Sequence, residues 1–203
     1  MKKQYDTLII GPVSLDHNID YQGNERKEVG GAVVASGFAA AKSGNKTALF
    51  TKLNPADADV EERLPDKTMA FHDWAEKREY LPCIDYLKTD AAEAEILTGL
   101  TDRAEAAKLL HSWGAKEVLI THNTEVLAYD GERVYTCPIK ARNLSGRTGR
   151  GDTTFAGYIT ERQRAGVEEA LLYCTALVSL KMETPGPFQG SREDVENYIS
   201  EFY

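Results

Sequence analysis

The chain has 203 residues, 42% of them hydrophobic and 28% charged, which is enough to bury one core and ordinary for a soluble globular domain. Its net charge of −8 argues against a nucleic-acid surface or an anionic membrane as partner. Cys83, Cys137 and Cys174 form no Cys-x-x-Cys pair and the four histidines have no metal-ligand spacing, so a disulfide framework and a structural zinc site are disfavoured and a reducing cytoplasm is expected.

Residues 6–11 are a short apolar run stopped by Gly11-Pro12, the pattern of a buried parallel strand. Open α/β sheets place ligands at the carboxyl ends of such strands, where Asp16 follows; a turn Asp is the alternative reading. Residues 20–28 are polar and suit a solvent-facing strand or a loop. Gly30-Gly31 then opens an alanine-rich helix through Ala41, and the paired glycines let an anion or a hydroxyl approach the backbone. Gly44-Asn45 caps that helix, and residues 46–53 return as a strand.

From 54 to 78 the periodicity fades, leaving a short acidic helix at 57–64, a break at Pro65, a strand at 68–71 and Trp74 packed on the core. Residues 83–88 read as the next strand, and Asp90-Ala91-Ala92-Glu93 starts a helix with acids in its first turn. Those two carboxylates either favour the helix dipole or, lying on one side, organise a hydrated Mg²⁺. Leu97-Thr98-Gly99 closes the helix and another spans 102–113. Strands follow at 117–121, 126–129 and 134–138, the last two joined at Asp130-Gly131.

Most of the chemistry lies in Arg147-Thr148-Gly149-Arg150-Gly151-Asp152, after which Phe155, Tyr158, Ile159 and Arg162 recur at helical spacing from a run beginning at Thr153. Two glycines permit a tight turn with uncovered N–H groups. Together with the positive end of a helix dipole they form an anion site suited to a phosphate. Asp152 at its mouth is placed to accept the proton of a hydroxyl attacking phosphorus; the alternative is an N-cap. Lys140, Arg142, Arg147 and Arg150 fall within eleven residues and suit a small polyanion such as a nucleotide, the alternative being a solvated basic loop. Residues 168–182 form a helix that is apolar on nearly every side. Pro185-Gly186-Pro187 breaks it before a closing amphipathic helix at 192–203. Strands alternating with helices predict one α/β layered domain over 1–203.

In this order the motifs resemble the PfkB family of carbohydrate kinases. Gly146-Arg147-Thr148-Gly149-Arg150-Gly151-Asp152 is similar to the family signature Asp-Thr-Thr-Gly-Ala-Gly-Asp, and Gly11-Pro12-Val13-Ser14-Leu15-Asp16 to its N-terminal strand and turn. Gly30-Gly31 resembles its di-glycine, Asp90-Ala91-Ala92-Glu93 its Asn-x-x-Glu element, and Thr121-His122-Asn123 its Thr-x-Gly. The resemblance implies a ribokinase-like fold with a mostly parallel central sheet flanked by helices, shortened in the middle. It also implies ATP- and Mg²⁺-dependent transfer of phosphate to an alcohol group of a small sugar or nucleoside. By the same resemblance Asp152 is the general base, Gly149, Arg150 and Gly151 form the anion hole, and Asp16, Gly30 and Gly31 bind the acceptor. Thr121, Asn123 and Thr148 lie beside the nucleotide, and Asp90 and Glu93 act at the metal.

The departures are local and large. Gly146 replaces an Asp and Arg147 a Thr, which argues against the monovalent-cation site of many relatives, and Ala35 stands where many have an acceptor-binding Asn. The resemblance covers residues 5–53 and 74–203 and fails between them, where the family continues with the rest of a substrate lid, of which 20–28 is a remnant, and further strand-helix units. Missing strands imply a rearranged sheet or self-association, for example as a homodimer. The competing reading is a catalytically inactive binding or assembly protein that has lost lid and acceptor pocket.

Overall fold

In the computed structural model, residues 4–11, 13–19, 23–50 and 73–203 are described. The helix expected at 57–64, the break at Pro65, the strand at 68–71 and the end of the strand expected over 46–53 lie outside the described residues. β1 (Thr7–Ile10) pairs in parallel with β4 (Thr47–Phe50), and between them come β2 (Ser14–Ile19), β3 (Glu25–Gly30) and α1 (Ala32–Lys42). β2 and β3 form their own antiparallel ladder with Asp16 opposite Glu28, so Asp16 belongs to a strand and not to a turn.

A third, four-stranded sheet has the order β5 (Tyr86–Asp90), β6 (Glu117–Thr121), β7 (Glu125–Tyr129) and β8 (Val134–Pro138). β5 and β6 run parallel, while β7 and β8 join antiparallel through the Asp130-Gly131 hairpin. The strand expected at 83–88 begins three residues later. Pro82 lies at the start of a 3-10 turn over Leu81–Cys83, and only after it does the chain extend. The carbonyls of Ile84 and Asp85 nonetheless already accept from Lys116 and Glu117 N–H.

β6 is buried throughout because both of its faces are covered. Val118 and Ile120 pack with Ala106, Ala107 and Leu110 of α4 (Arg103–Ser112) and with Ala94 of α3 (Ala91–Thr98). Leu119, on the opposite face by the two-residue period of a strand, packs with Tyr158 of α5 (Arg150–Glu161) and Leu171 and Cys174 of α6 (Val167–Met182). α7 (Arg192–Phe202) lies on α6, where Val195 and Tyr198 join Tyr173 and Leu177. A short α2 (Lys77–Tyr80) precedes the 3-10 turn, and Trp74 packs against the α4 side of the core as expected. All three cysteines are free thiols, and no helix among the described residues is long and apolar enough to cross a membrane.

One polar network ties α5 to β6. Glu117, 8% exposed, accepts from the Tyr158 hydroxyl and from Arg162 Nε and Nη2, both at 3.1 Å. The guanidinium of Arg162 is held above its ordinary range by this bond, and burial followed by Glu117 does the same for the Tyr158 phenol. Removing one partner of a buried ion pair strands the other charge. Glu117→Ala should therefore lower the unfolding free energy by about 3–5 kcal/mol in urea titration, and a loss below about 1 kcal/mol would contradict this role.

Candidate active site

The turn before α5 is set by Gly149, whose φ of 74° lies in the left-handed region and which serves as N-cap. A Cβ there would also approach the Ala35 methyl of α1 to 2.9 Å. The helix thus begins at Arg150, three residues before the run expected to open it, and Asp152 occupies its first turn. This corrects the N-cap alternative for Asp152, because the capping position belongs to Gly149. Arg150 N–H donates to the Arg147 carbonyl at 3.2 Å, whereas the N–H groups of Gly149 and Gly151 have no acceptor among the described residues. Of the three residues expected to form the anion hole, Gly149 and Gly151 thus have N–H groups without an acceptor among the described residues, and Arg150 does not.

The loop is supported from below by a residue that the sequence pattern did not single out. Lys181 is 1% exposed, and its ammonium donates to the Gly146 carbonyl at 2.5 Å and to the Thr148 carbonyl. Thr148 C=O and Gly149 N–H belong to one planar trans peptide, so a cation on the oxygen turns the N–H the other way and polarises it as a donor. Gly146 N–H donates to the Met182 carbonyl at 2.8 Å, and a Cβ at Gly146 would meet the Thr184 carbonyl oxygen at 1.8 Å. Any side chain at position 146 would therefore clash with the backbone as the loop lies in this chain.

Two cavities meet at this turn. One, of 210 Å³, has Gly30, Gly31, Val34, Ala35 and Pro187 on one side and Thr148, Gly149 and Asp152 on the other. Gly31, at φ 94°, is the N-cap of α1. The second, of 440 Å³, is walled by Lys88, Arg147, Arg150 and Gly151 together with the same Thr148, Gly149 and Asp152. Asp152 therefore stands between a mostly apolar hollow and a cationic cleft. Burial pushes its carboxyl above the usual carboxylate range; the Lys88 ammonium pulls it back down and Glu93 adds to the rise. Lys88, another residue not assigned a role from sequence, passes so close that a Cβ at Gly151 would meet its Nζ at 2.8 Å.

On the cleft side, Arg147 Nη2 and Arg150 Nη1 both donate to Asn123 Oδ1, at 3.1 and 2.7 Å. Asp90 and Glu93 form a reciprocal capping box: Asp90 Oδ1 accepts from Glu93 N–H at 2.8 Å, and Glu93 Oε2 accepts from Asp90 N–H at 2.6 Å. Glu93 Oε2 also lies 3.8 Å from Lys88 Nζ. Each carboxylate keeps a second oxygen, and no group of three metal-ligating side chains exists among the described residues. That donor set fits Mg²⁺, which retains several waters and needs one or two carboxylates. Thr121 is 2% exposed and its hydroxyl turns to the Thr89 carbonyl at 3.4 Å; like Asn123, Asp90 and Glu93 it does not line either cavity. Of Asp16 the structure describes the backbone alone.

Comparison with known proteins gives a consistent result. The sequence model of the pfkB family carbohydrate kinase matches residues 63–193. Cytidine kinase of Thermococcus kodakarensis is 36% identical over 90 residues, which cover 43% of this chain and 32% of that protein, so the chain matches about a third of that relative's length. A pyrophosphate-dependent kinase in the ribokinase family, solved with a pyrophosphate analog and myo-inositol, superposes with a TM-score of 0.83 at 25% identity, covering 94% of this chain and 99% of that one. Arabidopsis thaliana ribokinase, complexed with ribose and ATP, superposes with a TM-score of 0.75 at 15% identity, covering 95% and 98%.

Because Gly146 is pressed against backbone, not against a side chain that can swing away, Gly146→Ala should destabilise the protein by about 3 kcal/mol in denaturant unfolding. A change within about 0.5 kcal/mol would mean that the loop is not held as described.

Proposed function

We propose, from the fact that this chain belongs to the pfkB family of carbohydrate kinases, that it transfers a terminal phosphoryl group from a Mg²⁺-bound donor to a hydroxyl of a small sugar, polyol or nucleoside. The observation that carries this reading is the place of Asp152 on the walls of both cavities. An acceptor in the smaller cavity, beside Gly30 and Gly31, brings a hydroxyl to the carboxylate. Asp152 accepts the hydroxyl proton as the oxygen attacks phosphorus, and its burial-raised pKa suits a base. The N–H groups of Gly149 and Gly151 take up charge on the transferred group, with the Lys88 ammonium beside them.

Asp90 and Glu93 would hold Mg²⁺, which when bound would supply positive charge against the donor phosphates. ATP is the donor that the resemblance implies, and the Arabidopsis ribokinase carries ATP; the pyrophosphate-dependent kinase takes a different donor. Both compounds end in a phosphoanhydride on which this machinery can act, with Thr148 and Asn123 on the donor side. The hollow beside Gly30 and Gly31 supports catalysis over a silent binding protein, since it leaves room for an acceptor. Free thiols suit a reducing cytoplasm.

Phosphoryl transfer from Mg·ATP and Mg·pyrophosphate should be assayed against ribose, myo-inositol and cytidine, the compounds named for the relatives. Asp152→Asn should lower turnover by about 10²- to 10⁴-fold without loss of folding. Since the base must be ionised, the wild-type rate should rise with pH through an acid limb whose midpoint lies above about 4, the ordinary value for Asp. A variant as fast as wild type would remove Asp152 from the base role. No transfer from either donor to any acceptor would favour the inactive-protein reading.

A further inference from the structure

We infer that the donor cleft takes inorganic pyrophosphate in preference to ATP, through the paired guanidiniums of Arg147 and Arg150 and the ammonium of Lys88. This rests on the phosphotransferase reading above and narrows its donor. Neither guanidinium forms a salt bridge among the described residues, although the Asp90 carboxylate acts on Arg150 through space; each donates once, to the same neutral oxygen, Asn123 Oδ1. Most of the N–H donors on each fork thus find no acceptor among the described residues, in a geometry that matches a phosphate edge bidentately. The Asn123 bond fixes where both arginines stand before any ligand arrives, which lowers the ordering cost of binding.

The charge balance points the same way. Arg147 and Arg150 bring two like charges to one Asn123 oxygen, with the Asp90 carboxylate acting in the opposite sense on Arg150, and an anion between the two guanidiniums would relieve their repulsion. Among the described residues Lys88 has one ion pair, a loose 3.8 Å contact with Glu93, and its charge also acts on Asp152 across the cleft. The remaining described residues that wall this cleft are Thr148, two glycines and Asp152, with no aliphatic or aromatic side chain among them. A purine gains affinity by stacking on or packing against such side chains, and none is offered here. Pyrophosphate, by contrast, concentrates several negative charges in one small ion and needs only the cations and amides present.

In the reaction, the acceptor oxygen bonds to one phosphorus of pyrophosphate and the bond from that phosphorus to the bridging oxygen breaks. The electron pair leaves with orthophosphate, and the hydroxyl proton passes to Asp152. The products are a phosphate monoester, orthophosphate and a proton that Asp152 later releases to water.

Titration calorimetry on the full chain with Mg²⁺ tests the inference without knowledge of the acceptor. Pyrophosphate should bind at least about tenfold more tightly than ATP, and adenosine should not displace it. Substituting Arg147→Thr together with Arg150→Ala should weaken pyrophosphate by about 10²-fold, as expected for loss of charge-assisted bonds from two groups. Thermal melting establishes that the double variant is folded, and if it is not, competition between pyrophosphate and ATP on the wild-type protein decides alone. Tighter binding of ATP, or displacement by adenosine, would overturn the donor inference and leave the kinase reading standing. Binding of neither donor would overturn both.

Discussion

The ammonium of Lys181, buried behind the loop at Gly146 and Thr148, is the constraint from which the arrangement of the site follows. An amine out of water is costly unless its protons are matched, and two backbone carbonyls of this loop supply partners. Once those carbonyls turn inward, peptide planarity sends the N–H of Gly149 outward. The left-handed turn at Gly149 then starts α5 early enough to put Asp152 in the first helical turn. Gly146 must lack a side chain for the loop to lie against Thr184, so the three features are mutually dependent.

The rest of the fold holds that turn between two partners. At the far end of α5, Tyr158 and Arg162 bond Glu117 of β6 and fix the helix against the buried strand. At its near end, Ala35 of α1 lies against Gly149, and Ser36 donates weakly to the Asp152 carbonyl at 3.4 Å. The first turns of two helices therefore converge on one carboxylate, with an apolar hollow on the α1 side and cations on the β5 side. Desolvation raises the Asp152 pKa, while Lys88 keeps the rise in check, a balance that suits a base which must be ionised yet able to take a proton.

Much of this was legible in the sequence where a single period ran uninterrupted. β6, the β7–β8 hairpin, α6 and α7 lie close to their expected bounds because hydrophobic spacing and turn residues agreed there. The start of α5 was not legible: Gly149 and Gly151 look alike as residues, and only the backbone tells that the first is left-handed and the second helical. Pro82 delayed β5 by imposing a turn on an apolar run. Asp90 and Glu93 were readable as a first-turn pair, and their reciprocal capping bonds leave a second oxygen on each for a metal. Lys88 and Lys181 went unread because a single lysine in a strand or helix ordinarily points to solvent. The signal for Lys181 was its position in a helix otherwise apolar nearly all round. The arginine clamp on Asn123 joins residues 24 and 27 positions apart, which no local pattern encodes.

The claim on which the account turns is that one half-buried carboxylate, Asp152, is held between two cavities with its proton affinity raised. Carbon-13 NMR titration of the aspartate carboxyls, wild type against Asp152→Asn, measures it directly. The resonance missing from the variant should titrate above about 3.9, the ordinary Asp value. A midpoint at or below that value would mean a solvated or ion-paired carboxylate, and would contradict the account.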